Sequence, residues 1–149
     1  MSRVNTYLNY QGDTEEAFNF YATVFGTSFA SPIIRFGDMP ANPGMPALTP
    51  EELTQVMHVE LPILAGHVLM GTDILASMGH ELRIGNNTTI SLELDSREEA
   101  DRVFAALSAG GSDTFDMQDM PWGAYWGVTL DRFGIRWMFS FTDPEHQAH

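Results

Sequence analysis

The chain has 149 residues, of which 44% are hydrophobic, and it contains no cysteine. That is enough for one domain with a hydrophobic core, and it excludes disulfides, thiolate nucleophiles and Cys-ligated zinc or iron–sulfur centres. All seven basic residues are arginine and the net charge is −13, which excludes lysine Schiff-base and P-loop chemistry and argues against a phosphate backbone as partner.

No apolar run approaches the roughly 20 residues needed to span a bilayer. The start, Met1-Ser-Arg-Val-Asn5, lacks the pattern of a secretory signal, so a cytoplasmic protein is expected.

Taken in chain order, residues 4–10 alternate as a strand does, and a helix follows. Asp13-Thr-Glu-Glu-Ala-Phe-Asn-Phe-Tyr21 opens it with a variant of the capping box, Asp13 with Glu16. Ala17, Phe20, Tyr21, Val24 and Phe25 share a face, and Gly26 ends the helix. Phe18 is also read as core at helical spacing. Strands are predicted at 28–36, 55–61 and 67–72. Between the first two, residues 37–50 carry Pro40, Pro43, Pro46 and Pro50 and must form a loop.

Residues 88–94 alternate again, and Ser96-Arg-Glu-Glu-Ala-Asp-Arg-Val-Phe104 repeats the cap-and-helix pattern with Ser96 and Glu99. Its apolar face is Ala100, Val103, Phe104 and Leu107, and Gly110-Gly111 stops it. Strands are expected at 113–117, 125–130 and 135–141, with a tight hairpin turn at 131–134 ending in Gly134. The whole chain thus reads as one domain: module one at about 1–73, a linker at about 74–87, module two at about 88–142 and a tail at 143–149. The fold class is α+β, two βαβββ modules forming a curved, half-open mixed sheet. A ferredoxin-like sandwich ranks second because it has no place for so many strands.

Several segments carry a family resemblance: Tyr7-Leu-Asn-Tyr-Gln-Gly-Asp-Thr-Glu-Glu-Ala-Phe-Asn-Phe-Tyr21 with Phe25-Gly26, Met57-His58, Leu69-Met-Gly-Thr-Asp73, Gln118-Asp-Met-Pro-Trp-Gly123 and Asp131-Arg-Phe-Gly-Ile-Arg-Trp-Met138. In that order they resemble the PhnB-like proteins of the vicinal-oxygen-chelate superfamily, with glyoxalase I, bleomycin-resistance proteins and extradiol dioxygenases. The resemblance implies paired modules around a small-molecule site, and a homodimer. It also implies, in many members, a divalent metal held by His and Glu from the first and last strands of each module. Here those positions fall on Asn5 or Thr6, on Leu69 or Met70, on Thr89 and on Met138. Amide, hydroxyl and thioether groups are poor sole ligands for magnesium, zinc or iron. No cofactor is therefore expected.

Period-two alternation sorts the candidate pocket residues. Met57, Val59 and Leu61 are assigned to the core, with His58 and Glu60 opposite. Ile90, Leu92 and Leu94 face a helix and leave Thr89, Ser91 and Glu93 opposite. Ile135, Trp137, Phe139 and Phe141 face a helix and leave Arg136, Met138 and Ser140 opposite. A single bulge would overturn such parity. His58 reads either as a general base or metal ligand, or as a histidine merely hydrogen-bonded across the sheet. Glu60 and Glu93 are metal ligands, a carboxylate pair, or solvated. Arg136 clamps an anionic substrate group or pairs with a neighbouring carboxylate. Trp122, Tyr125 and Trp126 border a turn and form either a binding wall or packing. His67 and His80 show no partner in the sequence; His146 and His149 fall in the tail. The nine methionines suggest an adaptable core or pocket lining.

The expected function is small-molecule binding without the usual catalytic metal. The alternative is a metal-dependent lyase or isomerase of glyoxalase type using His58, Glu60 and Glu93. A methyltransferase is not expected, because no glycine-rich loop opens a helix after a strand.

Overall fold

A computed structural model describes residues 2–40 and 43–144, so His146 and His149 lie outside the described residues. The chain divides into two compact units, residues 1–83 and 84–149.

In the first unit, β1 (Thr6–Tyr10) leads into α1 (Thr14–Phe25), followed by β2 (Ile34–Arg35), a short helix α2 (Pro50–Leu53), β3 (Val56–Pro62) and β4 (Val68–Asp73). The strand order is β1-β4-β3-β2, with β1 parallel to β4 and the other pairs antiparallel. The second unit contains β5 (Ile90–Glu93), α3 (Arg97–Ser108), β6 (Ser112–Asp119), β7 (Ala124–Leu130) and β8 (Arg136–Thr142). Its order, β5-β8-β7-β6, and its one parallel pair, β5 with β8, repeat the first unit strand for strand. The protein is α+β, built from two βαβββ modules, each with an open mixed sheet.

Each sheet buries one face under its helix. In the first unit Leu8, Tyr10, Val59, Leu61 and Leu69 meet Ala17, Phe18, Tyr21 and Val24 of α1. In the second, Leu92, Leu94, Trp137 and Phe139 meet Ala100, Val103 and Leu107 of α3. The volume is filled from opposite sides in the two copies. In α1, Phe18 follows Ala17 and lies over Gly71, where an added Cβ would stand 2.6 Å from the ring. In α3 the residue after Ala100 is the exposed Asp101, and the sheet supplies the bulk instead, with Phe139 edge-on to Phe104 at 5.3 Å.

Helix starts differ from expectation in one copy. Ser96 caps α3, its Oγ accepting from the Glu99 N–H at 3.0 Å, while the Glu99 carboxylate reaches the Asp95 N–H at 3.1 Å. Asp13 makes no side-chain cap to α1. The carboxylate of Asp73, at the end of β4, does this from across the unit. Its Oδ1 accepts from the Gly12 N–H (2.8 Å), the Thr14 N–H (3.1 Å) and the Thr14 hydroxyl (2.7 Å), and its Oδ2 from the Val56 N–H (2.9 Å). With Asp73 only 3% exposed, these bonds are what make its burial tolerable.

Three further differences have physical causes. Of the strand predicted at 28–36 only Ile34–Arg35 forms as strand, with one separate bond from the Ala30 N–H to the Glu60 carbonyl at 3.0 Å, because Pro32 offers no N–H and interrupts the ladder. The loop at 37–50 begins in a 3-10 turn at Phe36–Asp38 and ends in α2, with Pro50 at its first position and a Thr49–Glu52 capping box. The linker packs onto the first unit through buried Leu75 and a bond from the Ile74 N–H to the Tyr10 carbonyl at 2.7 Å.

Two substitutions test this frame. Asp73→Asn replaces an acceptor oxygen with a donor facing N–H groups, and should lower unfolding free energy by about 2–4 kcal/mol, read from urea denaturation. Gly71→Ala should cost about 1–3 kcal/mol by overpacking against Phe18. The same change combined with Phe18→Leu should cost less than the two singles added together, and strict additivity would show that the ring contact is not the cause.

Candidate functional site

The residues singled out from the sequence divide between the two units. In the first, His58 and Glu60 lie together on β3, on the face turned away from α1. His58 Nε2 is 3.0 Å from Glu60 Oε1, and the imidazole lies 5.9 Å from the Tyr7 ring. Glu60 is opposite Met70 of β4, which in turn is opposite Tyr7 of β1.

In the second unit Ser91 is in register with Met138 and Glu93 with Ser140, on the face away from α3. Arg136 reaches Asp113 only loosely, at 3.8 Å. Trp122 stands 67% exposed at the turn that the Gly123 N–H closes onto the Met120 carbonyl at 3.0 Å. Tyr125 instead turns to the helix side. Its hydroxyl donates to Asp101 of α3, and the Arg97 guanidinium lies 4.1 Å over its ring while bonding Asp119 at 2.6 Å. The bond to Asp101 pushes the phenol pKa up, and its partial burial adds to the shift.

The family's metal positions can be tested by their donors. The Thr6 hydroxyl is engaged by His67 Nε2 at 2.7 Å, which gives His67 the partner its sequence context did not reveal. Met70 and Met138 offer thioethers and Thr89 a hydroxyl. Among the described residues no three His, Asp or Glu side chains gather as a ligand set. This donor chemistry does not fit a hard or borderline divalent ion.

The first unit holds a cavity of about 870 Å³ that the sequence did not point to. Its floor is Asn9, Thr72 and Met57 on the sheet. The proline-rich loop supplies Phe36, Met39, Pro40, Met45, Pro46, Ala47 and Leu48, and α2 supplies Leu53. The linker supplies Ile74, Leu75, Met78 and His80. His80 is tied in through its carbonyl, which accepts from Gln11 Nε2 at 3.3 Å.

Met57 was assigned to the core by alternation, and the structure corrects this. Ile34 of β2 pairs with His58, but Arg35 pairs with Val56, so Met57 is the extra residue of a bulge. Val56 takes the buried place at 1% exposure, and Met57 turns toward the cavity. The excess of methionine was the available signal, and four of the nine line this space.

Two polar clasps hold the walls. Glu52 of α2 accepts from the Ser77 hydroxyl, from the Ser77 N–H at 3.2 Å and from the Thr49 N–H at 2.9 Å, joining helix to linker. The Ser77 hydroxyl bond, with help from the Thr49 N–H, holds the Glu52 carboxyl below its ordinary 4.5. Arg35 forms a two-pronged pair with Glu15 of α1, both arms at 3.0 Å, and also donates to the Thr54 carbonyl at 2.9 Å. That pair likewise lowers the Glu15 pKa.

These two matching modules have the fold of the vicinal-oxygen-chelate proteins. The chain belongs to the PhnB-like family described as 3-demethylubiquinone-9 3-methyltransferase, whose profile matches residues 2–140. The chain is 26% identical to protein YjdN of Escherichia coli strain K12 over 144 residues, 92% of this chain and 93% of that one. Protein PA1353 of Pseudomonas aeruginosa superposes with a TM-score of 0.80 at 29% identity, over 95% of this chain and 98% of that one. A PhnB protein from Bacillus cereus gives 0.73 at 23%, over 95% and 100%. At the level of fold alone, a glyoxalase/bleomycin resistance protein/dioxygenase from Nocardioides gives 0.55 at 21%, over 97% and 86%. No helix among the described residues is long and apolar enough to cross a membrane.

The lowered Glu52 pKa has a pH signature. Because the folded-state value is depressed, the clasp contributes fully above the unfolded value near 4.5 and is lost as pH falls through the folded one. The difference in urea midpoint between wild type and Glu52→Gln should therefore be largest at neutral pH and close in acid. A difference constant with pH would show that the Glu52 charge is not involved.

Proposed function

We propose that this protein binds a small, predominantly apolar molecule in the cavity of its first unit, and that it needs no resident metal or organic cofactor to do so. The observation that carries the reading is the cavity itself. A space of about 870 Å³ lies within the range of small-molecule sites, and its walls are apolar apart from a few polar groups. Methionines at Met39, Met45, Met57 and Met78 supply unbranched, polarisable side chains that adapt to a ligand's outline. We further propose sequestration or recognition as its role, in the cytoplasm and as a homodimer.

We do not propose methyl transfer for this chain. Its strand-to-helix turns, residues 11–13 and 94–96, hold a single glycine between them, and each sheet has one parallel pair only. Neither turn is the glycine-rich strand-to-helix loop against which a nucleoside-type methyl donor packs. A second reading rests on the His58–Glu60 pair, in which a carboxylate orients an imidazole as a base for a lyase or isomerase.

Two measurements separate these readings. A thermal-shift screen of small apolar and aromatic compounds should yield ligands whose stabilisation is lost when Met57→Trp or Met78→Trp fills the cavity. Ligands that stabilise both variants as well as wild type bind elsewhere, which removes the proposal. Elemental analysis of untagged protein should find metal well below one equivalent. One tightly held equivalent that disappears in His58→Ala would favour the lyase or isomerase instead.

A further inference from the structure

The charge of the cavity wall narrows what it can hold, and this step rests on the small-molecule reading above. We infer that the occupant is a hydrophobic, ring-bearing molecule that is neutral or positively charged, and that anions are excluded. Among the described residues, no arginine lines the cavity. Arg35 adjoins Phe36 of the wall, but its guanidinium is turned onto Glu15 and the Thr54 carbonyl.

Asp73 also borders the cavity, and its carboxylate is turned onto the start of α1 and the Val56 N–H, on the side of β4 opposite Thr72. All four of its donors are neutral, three backbone N–H groups and one hydroxyl. Such dipoles make a buried carboxylate tolerable without cancelling its charge. Held on the α1 side of β4, this carboxylate stands behind the wall and not in it, and its field extends into an apolar space where charges are poorly screened. An anion entering would give up its hydration with no cation to replace it. A cation or neutral donor can instead use the Asn9 and Thr72 oxygens at the same end. The thioethers opposite favour aromatic faces and edges over open alkyl chains.

One skeleton carried in three charge states tests this on the full chain: 2-naphthylmethylamine, 2-naphthylmethanol and 2-naphthylacetate, titrated by calorimetry. The amine and the alcohol should bind, and the acetate should be weaker by at least about tenfold. Thr72→Arg, or Asn9→Lys should the first fail to fold, places a cation at the polar end and should remove or reverse that order while the alcohol still binds. His80→Gln, which deletes the one described lining side chain able to become cationic, should leave the order unchanged. Acetate binding as tightly as the amine in wild type overturns the inference and leaves the small-molecule reading standing. Failure of all three to bind overturns both.

Discussion

The first unit is organised around one buried negative charge. Asp73 ends β4, and its carboxylate binds the turn before α1, the first residues of α1 and the first residue of β3. Removing a carboxylate from water is expensive, and only a full set of donors offsets it. The chain therefore cannot place β4 correctly without also fixing where α1 begins and where β3 enters the sheet. This explains why α1 has no cap from Asp13: Asp73 already satisfies its first N–H, that of Thr14, and places a negative charge at the helix N-terminus.

The second unit solves the same problem differently. Asp131 is equally buried, and it accepts from the Phe133 N–H (2.8 Å), the Ile135 N–H (3.0 Å) and the Trp137 indole N–H (2.8 Å). It organises a hairpin and anchors the largest core side chain, while Ser96 caps α3 locally. The exchange of bulk between Phe18 over Gly71 and Phe139 against Phe104 follows the same logic. Close packing conserves filled volume and leaves open which strand or helix fills it. Two copies of one topology have thus kept their pairing order while redistributing caps, charges and volume.

The repeated strand–helix pattern was legible because period-two and period-3.6 signals, Gly26 and the Ser96–Glu99 pair are local. Parity along β5 and β8 was legible for the same reason: Leu92, Leu94, Trp137 and Phe139 are buried as alternation requires. What escaped is what depends on a partner strand or a distant residue. The bulge at Met57 exists only in the register between β2 and β3, and no composition of β3 alone announces it. Asp73 sits 59 residues from the helix start it caps, beyond any capping rule read along the chain. Tyr125 has the look of a wall aromatic, yet its hydroxyl finds Asp101 and its ring finds Arg97. The proline loop could be read as a loop, but not as one side of a cavity.

The same arrangement couples the cavity to the stability of the unit. Its floor crosses three strands, two of which Asp73 ties together, and its side walls are joined by Glu52 to Ser77. The loop between them contributes Met39 and Met45, which stand nearly half exposed and bury little by themselves. On the proposed reading, a ligand that covers these thioethers supplies the apolar contact they lack, and its binding adds to the stability of the unit. On the proposed reading, polar anchors fixed by the fold and adaptable methionines make a site that discriminates by charge more sharply than by outline. Methionines can follow a changed contour by rotating, whereas a satisfied, buried carboxylate cannot be moved or neutralised without undoing the helix start that depends on it.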